Sequence, residues 1–268
     1  MRRLSDPDFP WWLVALGVCA LAVAMVLALD PGWRRIVEVL LGGLATTVLV
    51  TLVAYAGAIL LGLLVCLAGQ SANRFVRNAA RFYVEVVRGV PTLVLLFWIA
   101  FVAAPAFVAG WNVVFLPLQH LGLVEPLLVR DVSLLARAVA ALVIAYSAFL
   151  AEIFRAGIEA VPAGQVEAAK ALGLGPFRRL RLVVLPQAVR TVLPPLANDF
   201  VSMVKDSSLV SVLGVADITQ MGKVFAAGSF RFFETYSVTA YLYLLMTVSV
   251  SLGARALERR LARERLTP

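Results

Sequence analysis

Few residues in this chain could do chemistry. His120 is the only histidine, and Cys19 and Cys66 both lie inside apolar runs, where a thiol behaves as a small hydrophobe. No metal site or disulfide framework can be drawn from residues so placed, and no acid, base and nucleophile converge, so no catalytic residue is assigned. The Gly222-Lys223 pair lacks a glycine five positions before Gly222 and is followed by Val224, so it is not a phosphate-cradling loop. Two constellations remain. The first is Asn198, Asp199, Ser202 and Lys205, followed by Asp206, in an otherwise apolar stretch. At 100° per residue Asn198, Ser202 and Lys205 fall within about 60° of one another, with the two aspartates on the adjacent flank. Such carboxylates suit an ammonium and the lysine suits a carboxylate, so the stripe could line a route for a zwitterion. Equally, the groups could satisfy one another where helices meet. The second is Glu167-Ala168-Ala169, then Leu172-Gly173, then nine residues on, Val183-Val184-Leu185-Pro186. Here Glu167 offers a carboxylate to a basic or amide partner, the alanines permit close approach, and Gly173 permits a turn that a Cβ would oppose. That is docking chemistry, not catalysis.

The elements that must position these residues follow from composition. Of 268 residues, 62% are hydrophobic and only 15% charged, with mean hydropathy +0.91. Runs 9–29, 39–73, 89–124 and 235–254 contain no Asp, Glu, Lys or Arg, and about 20 apolar residues cross a hydrocarbon core. This is a polytopic membrane protein, and soluble enzymes, collagen-like chains and disulfide mini-proteins are excluded. The expected spans are Trp11–Leu29, Gly42–Leu67, Leu93–Gly110, Leu134–Ala151, Gln187–Val204 and Thr235–Ala254. A cleaved signal peptide has an apolar region of about 7–15 residues, so the longer first run is expected to stay as a helix. Lys and Arg number two in 1–8 (Arg2 and Arg3), four in 68–92, six in 152–190 and five in 254–268, which is 17 of 24. Cytoplasmic loops hold the cations, so both termini are expected to be cytoplasmic. The net charge of +8 is then mostly topology, and nucleic acid is not an expected partner.

Two spans are imperfect. Arg137 opens one and is expected to snorkel outward; Gln187–Val204 holds Pro194, Pro195 and Asp199. A mid-helix Asp costs about 2.5–3.5 kcal/mol on insertion, so this helix should face protein or water, and its carboxylate is a functional-site hypothesis. The excursion from Glu152 to Pro186 reads as two short helices: one after Pro162 stopping at Gly173, and one from Pro176 with Phe177, Leu180 and Val184 on one face, closed by Pro186. The pair forms a knob suited to a groove on another protein; with Arg178, Arg179 and Arg181 it would also suit lipid headgroups. Gly43, Thr47 and Thr51 make a small-residue packing face, Arg88 with Pro91 an interfacial anchor. Residues 207–222 are too interrupted for a span, and 111–133 receive no assignment.

The spacing of Glu167-Ala168-Ala169, Gly173 and Leu185-Pro186 resembles the EAA loop of ATP-binding cassette importer permeases, with Val183 where Ile is usual. Tyr83 to Pro91, Glu152-Ile153-Phe154-Arg155-Ala156-Gly157, Leu185-Pro186-Gln187-Ala188, Asn198 and Lys205-Asp206-Ser207-Ser208-Leu209 are similar to the polar amino acid branch, across roughly residues 40–257. The resemblance implies an all-α polytopic fold, the transmembrane domain of a type I importer with a five-helix core plus one extra N-terminal transmembrane helix. It divides the chain into an extension over 1–35, the permease domain over 36–257 with its coupling loop at 152–186, and a basic cytoplasmic tail over 258–268. It implies a bacterial inner-membrane location and a dimer with an identical or sister permease. It further implies a cytoplasmic ATPase dimer that binds Glu167, Ala168, Ala169, Leu172 and Gly173, and an extracytoplasmic amino-acid-binding protein. Any ATP and Mg would sit on the ATPase; this chain needs no cofactor. The alternative is an ion-coupled secondary amino acid transporter, although no duplicated halves are visible and a docking knob has no obvious use there.

Overall fold

The computed structural model describes residues 11–263, and among them every regular element is helical. Arg2, Arg3 and tail residues 264–268 lie outside the described residues. In chain order the helices are α1 (Trp11–Leu29), α2 (Pro31–Leu41), α3 (Leu44–Gly69), α4 (Arg74–Gly89), α5 (Thr92–Trp98), α6 (Ala104–His120), α7 (Leu134–Glu159), α8 (Ala163–Ala171), α9 (Pro176–Arg179), α10 (Leu185–Asp206), α11 (Ile218–Ser229) and α12 (Phe232–Arg263). Stretches long and apolar enough to cross a bilayer are Pro31–Gly69, Thr92–His120, Leu134–Glu159 and Phe232–Ala256. Pro176–Leu213 and Ile218–Ser229 qualify together, bent by 49°. The uncharged first run forms the 19-residue α1, and each later expected span lies inside one of these stretches.

Helix starts follow local chemistry. Asp30, Asn73, Ser133 and Asp217 each accept a backbone N–H at the start of α2, α4, α7 and α11, satisfying one orphan donor per helix. The bundle is then built on small residues. Along α3, Val50, Ala54, Ala58, Gly62 and Cys66 recur every fourth position and are buried, chiefly against α7. A Cβ on Gly62 would stand 2.8 Å from the Ser147 carbonyl oxygen. In lipid there is little hydrophobic force between helices, so backbone proximity and dispersion carry the packing. Gly43, Thr47 and Thr51 do pack, as their spacing predicts: a Cβ on Gly43 would lie 2.3 Å from the Asp217 carbonyl carbon. The Thr47 hydroxyl oxygen accepts the Ile218 N–H at 3.2 Å and donates to Gly43 C=O at 3.1 Å. Residues 207–222 thus become a 3-10 turn (Ser207–Leu213), a left-handed Gly214 (φ +80°) and the start of α11.

Prolines do not end these helices. Between α5 and α6 lies a π turn, Ile99–Ala103, in which the Ala104 N–H reaches five residues back to Ile99 C=O. The next residue is Pro105, which has no N–H, so the carbonyl next in that register, Ala100, lacks a helical partner. Arg137 supplies it: Nη1 donates to Ala100 C=O at 3.1 Å, Nε to Val132 C=O at 2.9 Å and Nη2 to Val129 C=O. Arg137 is therefore buried, 8% exposed, and does not snorkel. Because the π turn absorbs Pro105, the helix runs ten residues past Gly110, to His120. Part of the unassigned 111–133 segment returns against it through Asn112, whose amide accepts the Leu127 N–H at 2.9 Å and donates to Leu127 C=O at 2.8 Å.

Pro186 repeats the device and corrects the expectation that it closes a helix. A π turn over Leu180–Val184 precedes it, with Leu185 N–H bonded to Leu180 C=O, and helix continues from Pro176 to Leu213. The wide turn also shifts the register. Of Phe177, Leu180 and Val184, expected on one face, Val184 is buried while Phe177 and Leu180 are exposed.

Candidate functional site

The knob is a finished local structure. In α8, Gly173 at φ +74° ends the helix, with Gly173 N–H on Lys170 C=O at 2.9 Å and Leu174 N–H on Ala169 C=O at 3.1 Å. This doubly bonded left-handed cap favours glycine. No atom would crowd a Cβ there, so backbone conformation, not space, selects the residue. Glu167, Ala168 and Leu172 face outward, Leu172 being 80% exposed, whereas Ala169 is 3% exposed and packs inside the knob. Phe177 and Leu182 add 71% and 62% exposed apolar groups on the second arm. Gln187 Nε2 donates to Gln165 Oε1, clasping α8 to the start of α10. The knob is therefore tied directly to a membrane helix.

The α10 stripe divides. Asn198 and Lys205 are exposed and Ser202 is half-buried, its hydroxyl on Asn198 C=O at 3.3 Å. Asp206 accepts the Tyr146 hydroxyl at 2.9 Å. Asp199 alone of the predicted pathway residues lines a cleft of about 460 Å³ between α4, α7 and α10. One of its carboxylate oxygens is buried with no hydrogen-bond partner. The structure therefore does not bring Lys205 and Asp199 to one cavity. Gly157 makes the helix crossing there possible, since a Cβ would fall 2.1 Å from Val192 Cγ1.

Sequence reasoning missed the rest of this wall. Arg88, Phe149, Glu152, Arg155 and Thr191 line the same cleft. Arg155 holds Glu152 with two bonds, 2.6 and 3.1 Å, and reaches Glu159 at 2.7 Å. Arg88 lies over the Phe149 ring at 5.5 Å and only 3.9 Å from Glu152. Glu152 and Arg155 also line a second cleft, about 500 Å³, with Gln70, Arg81, Glu85 and Glu159. The signal was available: Arg88 and Glu152 are charges at the edges of apolar runs, inside segments already singled out. No group of His, Cys, Asp and Glu able to hold a metal occurs among the described residues.

A bundle of lipid-length helices with a protruding knob and a charged cleft defines an integral membrane permease. The comparisons give its kind: the chain matches the family described as "Binding-protein-dependent transport system inner membrane component" over residues 58–263, and it belongs to that family. It is 33% identical over 227 residues to the glutamine transport system permease protein GlnP of Escherichia coli K12, covering 84% of this chain and 94% of that protein. It is 35% identical over 222 residues to the nopaline transport system permease protein NocQ of Agrobacterium fabrum, covering 83% and 89%. A solved amino acid ABC transporter with histidines superposes with TM-score 0.70 at 34% identity, covering 85% of this chain and 96% of that one. The MetNI methionine ABC transporter shares the fold, with TM-score 0.66 at 19% identity, covering 84% and 96%. These relatives favour the importer reading over the ion-coupled alternative, and the helical core with one added N-terminal helix is the expected architecture.

Proposed function

We propose that the chain is the membrane-spanning permease subunit of an ATP-driven importer for polar amino acids. It works with a second permease, identical or sister, two cytoplasmic ATPase subunits that bind the ATP and Mg, and an extracytoplasmic amino-acid-binding protein. Its place is the bacterial inner membrane, with both termini cytoplasmic. The observation that carries the reading is the knob: exposed Glu167, Ala168 and Leu172 on glycine-capped α8, beside a second arm that starts at Pro176 and runs as unbroken helix into α10. Ala169 and Gly173 shape that arm, and the outward residues meet the ATPase. The stripe of exposed Asn198 and Lys205 with half-buried Ser202 is costly against lipid; it faces the second permease across the translocation path, with Asp199 recessed behind it.

Glu167→Lys reverses the docking charge, and Gly173→Asp places a Cβ on a left-handed residue at the knob's joint. Each is expected to lower reconstituted uptake about tenfold or more, the loss of roughly 1.4 kcal/mol of coupling, and to weaken ATPase retention on affinity purification. Wild-type uptake by both variants would reject the docking role.

A further inference from the structure

Between Pro31–Gly69 and Thr92–His120, both long and apolar enough to cross a bilayer, lies α4, which is not. Its sequence gives the reason. Arg74, Arg77 and Arg81 fall within about 60° of one another at 100° per residue, and no Asp or Glu occurs between Glu38 and Glu85. Val84 and Val87 pack into the bundle, but another flank stays open: Phe75 and Phe82 are 87% and 71% exposed, and Val86 is exposed beside them. None of the three arginines makes an ion pair among the described residues. Arg77 is held in place, its Nη1 donating to Ser71 C=O at 3.0 Å. We propose that the first half of α4 holds an anionic phospholipid, the arginines taking its phosphate headgroup and the two phenylalanines lying among its acyl chains.

A helix with a basic stripe beside an aromatic one lies in the membrane interface and does not cross it. Its cations gain from anionic headgroups, and guanidinium groups bind phosphate through paired donors. The depth agrees. Helix α3, a span, ends at Gly69 just before α4, and Arg81 shares the 500 Å³ cleft with Glu159, at the end of α7 just before the knob. The arginine stripe thus sits on the knob's side of the bundle, where a span meets headgroups. Of the acids on that cleft, Glu152 and Glu159 are taken by Arg155, which leaves Glu85 alone against the three cations. A second copy of the chain is a poor occupant, since a two-fold contact through this face brings like charges together. A free anion is another, since it leaves the phenylalanines uncovered. The proposal depends on the chain's membrane placement and not on what it transports.

The test titrates the full-length permease in detergent with phosphatidylglycerol and, separately, with phosphatidylethanolamine of the same chains, and counts bound lipid by native mass spectrometry. The wild type is expected to bind the anionic lipid about tenfold or more tightly. Arg74→Gln, Arg77→Gln and Arg81→Gln together should bring the two lipids within about twofold of each other, and the three lysine replacements should keep part of the preference. Phe75→Ser with Phe82→Ser should weaken both lipids alike. Arg178→Gln, Arg179→Gln and Arg181→Gln, on the knob, should leave the preference in place. Equal wild-type binding of the two lipids overturns the proposal, and that comparison stands even if the glutamine variant fails to fold. Loss of the preference in the knob variant but not in the α4 variant also overturns it, as does displacement of phosphatidylglycerol by equimolar inorganic phosphate. So does an α4 variant that keeps the preference but sheds the ATPase on affinity purification, which would assign the face to that protein.

Discussion

Arg137 shows how much one side chain can carry where water is absent. It satisfies three backbone carbonyls from two segments, and each buried acceptor left unpaired costs about 1–3 kcal/mol. Arg137→Met is therefore expected to lower the unfolding temperature in detergent by several degrees, measured by a thermal-shift assay, with a smaller drop for Arg137→Lys. A variant as stable as wild type would contradict the role. The need was not legible in the sequence: an arginine at a span's edge has snorkelling as its ordinary explanation, and the π turn that exposes Ala100 C=O leaves no distinct mark in Ile99–Ala103. Gly173 was legible, because a glycine set off by three residues from Glu167-Ala168-Ala169 suggests a turn, and its positive φ gives the reason. A helical wheel grouped Lys205 with Asp199 although only Asp199 lines the cleft, because a wheel orders residues around one axis and is silent on which neighbours close a cavity. That cavity needs α4 and α7, whose contributions lie over 40 residues away in the chain.

At the scale of the element, the glycines of α3 separate two kinds of close contact. A Cβ on Gly57 would meet a Val143 methyl at 2.8 Å, whereas one on Gly62 would meet the Ser147 carbonyl oxygen at the same distance. A side chain can rotate; a helix backbone cannot without moving α7. Gly62→Ala is thus expected to destabilise the protein by about 1–3 kcal/mol and Gly57→Ala by distinctly less, ranked by chemical denaturation in micelles. The same reasoning explains what could be read of the elements. Charge-free runs located the spans, because bilayer thickness fixes their length. One boundary was misread where a proline follows a π turn, at Pro186, since the extra residue in the turn relieves the clash that normally stops a helix.

For the whole molecule, the continuity of Pro176–Leu213 makes a separable prediction. Two glycines inserted after Val184 should leave the ATPase bound and hydrolysing while uptake falls about tenfold or more, because backbone freedom at that point dissipates the displacement. Retained ATPase with retained uptake would mean that the force travels by another route. Family and architecture were legible from the spacing of the knob residues and from hydropathy, whereas the wall of Arg88, Phe149, Glu152 and Arg155 emerged only once three helices were set side by side.

That unbroken stretch also sets a mechanical ratio. At about 1.5 Å per residue, Pro176–Leu213 is an arm of roughly 57 Å, and a tilt of about 5° swings its tip by roughly 5 Å. If Gly214 is the pivot, Thr191, Pro195 and Asp199 lie at successively shorter radii and so sweep successively smaller arcs. A displacement applied at the Pro176 end would then widen the cleft more at Thr191 than at Asp199.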